Sequence, residues 1–187
     1  MTPDMISLAK YYDGGAMDFH FLKKTFLMAI LSVVFMVSGC EKQGEAFRIA
    51  PDFSLKNLSG DKVSLARLKG KIVLVDFWAT WCPPCRKSIP ELIDLQKKYQ
   101  DKGLVILGIS MDHTEKISDD SLMAFKEKYR INYTILRGDG RVATDFFRGK
   151  KRPIPTMFVI NREGNIVAKH VGYQPGVLEK ALKELLQ

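Results

Sequence analysis

The strongest pattern in the chain is Lys71-Ile-Val-Leu-Val-Asp-Phe77, a nearly continuous apolar run of strand length. Such a run fits a strand buried on both faces, as in a sheet covered by helices. Leu104 to Ser110 repeats it. Between the two, Ile89, Leu92, Ile93, Leu95 and Tyr99 recur at roughly helical spacing and predict a helix from about Pro83 to Gln100. Upstream, Arg48 to Leu55 and Lys62 to Leu65 flank the turn-rich Asn57-Leu-Ser-Gly60-Asp61, which predicts a front hairpin. Downstream, Ser118 to Tyr129 reads as a helix with Leu122, Phe125 and Tyr129 on one face, and Tyr133 to Leu136 as a short strand. Thr156 to Ile160, the turn Asn161-Arg-Glu-Gly164 and Asn165 to Val171 predict a second hairpin. Val177 to Leu186 closes the chain as an amphipathic helix. Strands alternating with helices, then a hairpin and a helix, predict an α/β sandwich around a mixed sheet.

The first forty residues follow a different pattern. Lys23-Lys24 is followed by thirteen residues, Thr25 to Val37, without a charge. A positive stretch and then a short apolar one is the layout of a secretory signal peptide, and it falls short of the roughly 20 residues of a membrane-spanning helix. The segment ends in Val37-Ser38-Gly39-Cys40, which resembles the lipobox of bacterial lipoproteins. That resemblance implies cleavage before Cys40 and lipid on its sulfur. The expected organisation is a signal peptide over 1–39 (with Met17 a candidate start), a lipidated tether over 40–47 and a folded domain over 48–187. An uncleaved anchor with an incidental cysteine is the alternative; both place the domain outside the cytoplasm, tethered to a membrane.

Composition changes little. With 46% hydrophobic and 27% charged residues, the chain is ordinary for a globular protein. The net charge of +8 arises downstream of residue 39, since Lys10, Lys23 and Lys24 balance Asp4, Asp13 and Asp18. No nucleic-acid-binding signature accompanies it. The three cysteines, at 40, 82 and 85, are too few for a disulfide scaffold.

Cys82 and Cys85 lie one helical turn apart, just after a buried strand and at the start of a helix. That spacing brings the side chains together. Unpaired N–H groups and the partial positive charge of the helix N-terminus stabilise a thiolate, the species that attacks disulfides. Cys82 is expected at the exposed tip as nucleophile, with Cys85 shielded one turn inside to resolve the mixed disulfide. Pro83 and Pro84 suit a first helical turn but remove two donors to the Cys82 sulfur, leaving the Cys85 N–H. The Cys82 pKa is therefore predicted to be lowered, but not below about 4. A zinc site generally needs four ligands. His20, His113 and His170 show no ligand spacing, so no metal is expected and His113 and His170 are expected at the surface.

Val75-Asp76-Phe77-Trp78-Ala79-Thr80-Trp81-Cys82-Pro83-Pro84-Cys85-Arg86 resembles the active-site segment of the thioredoxin superfamily, and Ile154-Pro155-Thr156 resembles its second hallmark, a cis-proline facing the dithiol. The front hairpin, the extra segment around 111–147 and the lipoprotein address look most like the membrane-anchored TlpA/ResA-like branch. The resemblance, over about 48–187, implies a thioredoxin-like three-layer sandwich with a mixed central sheet and an N-terminal β-hairpin. It implies a cis Pro155 (Pro153 being the alternative) beside backbone that pairs with substrate. It also implies a buried acid at Asp76, with raised pKa, serving Cys85, and a Trp81 that shields the dithiol; Trp78 reads as packing. No cofactor beyond the Cys82–Cys85 disulfide is implied. Expected partners are disulfide-containing envelope proteins, the haem-attachment cysteines of apocytochromes c among them, and a membrane electron donor of the thiol-reductase type. One departure stands out. Many members of this branch carry Glu three residues after the second cysteine; here it is Ser88, with Glu91 one turn further on.

A dithiol reductase is the leading expectation, a disulfide oxidase the alternative in the same chemistry. A thiol peroxidase is disfavoured because Ala79 occupies the position where that group needs Thr or Ser. A lipid-tethered binding module with an inert Cys82–Cys85 bridge is the alternative outside catalysis.

Overall fold

A computed structural model describes residues 48–187. The signal peptide, Cys40 and the tether lie outside the described residues. The strands are β1 (Arg48–Ile49), β2 (Ser54–Lys56), β3 (Lys62–Ser64), β4 (Ile72–Trp78), β5 (Leu104–Ser110), β6 (Thr134–Arg137), β7 (Thr156–Ile160) and β8 (Asn165–Val171). The α-helices are α1 (Pro83–Tyr99), α2 (Asp119–Lys128), α3 (Gly140–Phe147) and α4 (Val177–Lys183).

Six strands form a mixed sheet in the order β1-β8-β7-β4-β5-β6, while β2 and β3 pair as a separate hairpin. β4, β5 and β6 run parallel, and β7, β8 and β1 are antiparallel additions on the other side of β4. Every residue of the central β4 is buried, as its apolar run requires.

Alternation along β4 divides the core. Ile72, Leu74 and Trp78 point to one face, where they pack with Cys85, Ile89 and Leu92 of α1, Leu122 of α2 and Leu178 and Leu182 of α4. Val73, Val75 and Phe77 point to the other, against Leu55, Leu65 and Val142 and Phe146 of α3. There Phe146 sits 5.3 Å from Phe77 and 5.1 Å from Phe158, centroid to centroid. Helices on one face, the sheet, and α3 with the front hairpin on the other make the three expected layers.

Two readings need correction. Arg48 to Leu55 is not one strand: Arg48–Ile49 pairs with β8 at the sheet edge, and the chain re-enters extended pairing only at Ser54. Pro51 lies in the break; it carries no N–H for a ladder. Helix α3 lies in a stretch read only as an extra segment. Asp139 caps it, its carboxylate accepting the Val142 N–H at 2.7 Å.

Candidate active site

The end of the sheet where β4 and β5 finish and β7 begins carries the dithiol. β4 stops at Trp78, and Cys82 is the N-cap of α1, with Pro83 and Pro84 as the first helical residues. The Cys82 backbone N–H donates to Ala79 O at 3.2 Å, closing the turn that leads into the helix. Cys82 and Cys85 form a disulfide with a Cα–Cα distance of 5.3 Å. The Cys85 N–H donates to the Cys82 sulfur at 3.3 Å, so the one donor left by the two prolines is engaged as expected.

Cys85 is 1% exposed, shielded as expected, but Cys82 is only 3% exposed and does not stand out at a tip. As N-cap its side chain folds back over the first turn, and Ile154 O lies 3.8 Å from its sulfur. Trp81 is exposed, at 63%, as are Pro83 and Pro84.

The Ile154–Pro155 peptide bond is cis. Two hydrogen bonds hold this loop: the Thr156 hydroxyl donates to Pro153 O at 2.7 Å, and the Gly172 N–H to Pro155 O at 2.8 Å. Thr156 pairs in register with Phe77, which brings Pro155 level with the end of β4.

Asp76 lies inside the sheet, between Gly108 of β5 and Met157 of β7 in register, on the same face as Trp78 and the dithiol. It is 1% exposed and its Oδ1 has no hydrogen-bond partner. Burial alone pushes its carboxyl up to about 7. The Trp78 Nε1 and the Tyr133 hydroxyl are likewise buried and unpartnered. A Cβ on Gly108 would come within 3.0 Å of Trp78 Nε1 and 3.1 Å of Tyr133 Cε2, so the glycine makes room for both rings. Burial, and then the Asp76 carboxylate, hold the Tyr133 hydroxyl well above its ordinary value.

Ser88 is fully buried and its hydroxyl donates to Cys85 O at 2.8 Å. Glu91 does not replace the missing acid: its carboxylate accepts the Gly176 N–H at 3.1 Å, at the start of α4. His113 is exposed as expected, whereas His170 is half-buried with an unpartnered Nε2, and burial lowers its pKa. His170 pairs with Met157 on β8, so the helix-covered face of the sheet takes it inward.

One residue of the site carried no motif signal. Asp112, just past β5, is 5% exposed and accepts from the Thr80 N–H at 3.0 Å, the Thr80 hydroxyl at 2.8 Å and the Ser110 hydroxyl at 2.9 Å. It clamps the loop that presents Trp81 and Cys82 to the end of β5. A buried-strand run ending in Ser-x-Asp was the available clue.

Comparison with known proteins agrees with this geometry. The model of the AhpC/TSA family matches residues 47–169. The chain is 42% identical over 123 residues to thioredoxin-like protein YneN of Bacillus subtilis, covering 66% of this chain and 69% of that protein. It is 33% identical over 156 residues to thiol-disulfide oxidoreductase ResA of Oceanobacillus iheyensis, covering 79% and 78% respectively. The crystal structure of a thiol:disulfide interchange protein of the thioredoxin family from Chlorobium tepidum is similar with a TM-score of 0.66 at 30% identity, over 76% of this chain and 98% of that one. The fold implied by Trp81-Cys82-Pro83-Pro84-Cys85 and Ile154-Pro155-Thr156 is the thioredoxin-like fold found.

Proposed function

The chain belongs to the AhpC/TSA family and is a ResA-like thiol-disulfide oxidoreductase, and on that premise we propose that it is a dithiol reductase of proteins outside the cytoplasm, tethered through lipid on Cys40. The observation that carries the chemistry is the asymmetry of the pair. Cys82 caps the helix, takes the Cys85 N–H on its sulfur and lies beside the Ile154 carbonyl, while Cys85 is enclosed by the core.

In the forward direction the Cys82 thiolate attacks one sulfur of a substrate disulfide. A Cys82–substrate disulfide forms and the other substrate sulfur leaves as thiolate, to be protonated. Cys85 then gives its proton to the Asp76 carboxylate and attacks the Cys82 sulfur. The mixed disulfide breaks, the second substrate sulfur leaves as thiolate and takes up a proton, and the protein holds the Cys82–Cys85 disulfide. Two electrons have passed to the substrate. A membrane thiol donor returns them. A carboxyl near 7 suits that step, because near neutral pH it both accepts and returns a proton. Pro155 packs beside the dithiol, with the Ile154 backbone aligning the substrate strand while Thr156 holds the loop, and Trp81 shapes the approach.

The tether follows from Lys23-Lys24, the apolar stretch 25–37 and Val37-Ser38-Gly39-Cys40. Among the described residues no helix is long and apolar enough to cross a membrane. Apocytochromes c, whose haem-attachment cysteines must be reduced, are the candidate substrates.

A Cys85→Ser variant tests the reading. It lacks the resolving thiol, so it accumulates partners as mixed disulfides through Cys82 that dithiothreitol releases. Capture of cytochrome maturation proteins supports that pathway; capture of nothing sinks the mechanism. A Cys82–Cys85 pair fully oxidised in growing cells contradicts net reduction, and an unmodified Cys40 in intact mass contradicts the lipid tether.

A further inference from the structure

Beside Trp81 lies a cleft of about 420 Å³ lined by Trp81, Asp112, His113, Lys116 and Ile117. The Trp81 ring and the half-buried Ile117 give it apolar walls, and His113 and Lys116 are exposed at its rim. Its one carboxylate, Asp112, is turned inward and occupied by Thr80 and Ser110. The surroundings are cationic. β4 and β5 end side by side at Trp78 and Ser110, and antiparallel β7 starts opposite Phe77, so three loops converge at this end. Exposed Arg86 and Lys87 follow the dithiol on α1, and exposed Lys150, Lys151 and Arg152 lead into the cis-proline. Against these, Glu115 and Asp120 are the exposed, unpaired carboxylates of the 111–120 segment, Asp119 being paired with Arg137.

From this juxtaposition we infer that the cleft is a substrate subsite: it receives an apolar side chain next to the substrate cysteine, from a segment whose other residues are acidic. The inference rests on the oxidoreductase reading above and adds a class of substrate to it. The apolar side chain displaces water from the Trp81 ring and Ile117, the contact type that carries most binding energy at interfaces. The cations speed encounter with an acidic segment and disfavour a basic one. The occupant is a protein segment, because the wall of the cleft, Trp81, immediately precedes Cys82, which must meet a substrate disulfide.

The test uses the reduced protein with two disulfide peptides, alike in a leucine beside the cysteine but flanked by four Glu or by four Lys. Bis(2-hydroxyethyl) disulfide serves as an uncharged reference. At low salt kcat/KM is expected to be about 10-fold or more higher for the Glu peptide, narrowing to within about 2-fold at 0.5 M salt as screening sets in. The Lys150→Glu/Lys151→Glu variant is expected to lose or reverse the preference while turning over the reference disulfide as before. In the Glu peptide, glycine in place of the leucine is expected to lower kcat/KM for the wild-type protein and to change nothing for Ile117→Ser; no loss with glycine in the wild type overturns the apolar subsite. Equal kcat/KM for both peptides, with the reference still turned over, overturns this inference alone. A preference unmoved by the variants places recognition elsewhere and also overturns it. Failure to reduce any of the three disulfides removes the oxidoreductase reading itself.

Discussion

Replacing Asp76 by Asn separates the electrostatic consequence of burying this carboxyl from everything else it does. Its folded pKa, about 7, stands far above the ordinary 3.8 because of burial, with no opposing partner. Between those two values the folded chain holds a proton that the unfolded chain has lost. Stability therefore falls as pH rises through this window, at about 1.4 kcal/mol per pH unit, and levels off above 7. From pH 5 to pH 8 the loss from this one group is about 2.5 kcal/mol. Asn carries a pH-independent cost for its buried N–H2 donors, so the variant's absolute stability is not the informative quantity. The difference between pH 5 and pH 8 is. His170, whose pKa burial lowers, titrates with the opposite sign in this range, but it is common to both proteins and cancels. The assay is urea unfolding of both proteins with the Cys82–Cys85 disulfide intact, followed by Trp78 and Trp81 fluorescence. Wild type is expected to lose about 2.5 kcal/mol more than the variant from pH 5 to pH 8. Parallel stability profiles would show that Asp76 is ionised in the fold well below 7, and would remove its part as proton acceptor for Cys85. In turnover, Asp76→Asn is expected to lose the limb of the pH–rate profile near 7 and about 100-fold in the resolving step.

Three further outcomes are expected. Asp112→Ala leaves the Thr80 N–H and the Thr80 and Ser110 hydroxyls without their acceptor; it should cost about 2–3 kcal/mol in urea unfolding and about 10-fold in kcat/KM with insulin, through a loosened Cys82 loop. Gly138→Ala would put a Cβ 2.6 Å from Ser110 O, a backbone atom that cannot turn aside, so its midpoint should fall further than that of Gly108→Ala, where the 3.0 and 3.1 Å contacts are with side-chain rings. The Cys82 thiol in the reduced protein, followed by its alkylation rate against pH, should titrate below its free value of about 8.5 and above about 4, since one backbone N–H rather than three reaches its sulfur.

The sheet and its dithiol were legible because their signals are local. The apolar run at 72–77 reports burial on both faces, and two cysteines at helical spacing after it report a helix start. Asp76 was marked by the family resemblance, and its apolar neighbours Leu74, Val75 and Phe77 accord with the burial found. What escaped was set by the sequence-distant partner. The break after Ile49 depends on β8 accepting two residues at its edge, and nothing in Arg48 to Leu55 announces that partner. Helix α3 is eight residues long and begins with Gly; Val142, Ala143 and Phe146 give a helical stripe only once Asp139 is recognised as its cap. Cys82 is buried, although it starts the helix, because the cis-proline loop some seventy residues later in the chain brings the Ile154 carbonyl against its sulfur. The Asp112 clamp joins residues 32 apart and leaves no motif.

The serine at position 88 alters where acid–base chemistry is to be sought. A carboxyl there would sit one turn beyond Cys85 on the same helix face. Ser88 instead spends its hydroxyl on Cys85 O, and being fully buried it leaves no space for a charged side chain without repacking. Glu91, the nearest acid on the helix, is committed to Gly176. Among the described residues the buried carboxyl on the dithiol face of the sheet is then Asp76, which approaches from the sheet rather than from the helix. An acid held by a central strand is fixed by hydrogen-bonded register with Gly108 and Met157 on either side and, at 1% exposure, lies beneath the surface that a substrate meets. That arrangement couples proton transfer to the oxidation state of Cys85 more than to the conformation of the bound partner. It predicts that the pH dependence of the resolving step is the same for different protein disulfides, while attack by Cys82 varies with them. Matching resolving-step profiles for insulin and a short peptide disulfide would bear this out; profiles displaced by a full pH unit between the two would place the proton acceptor on the substrate side.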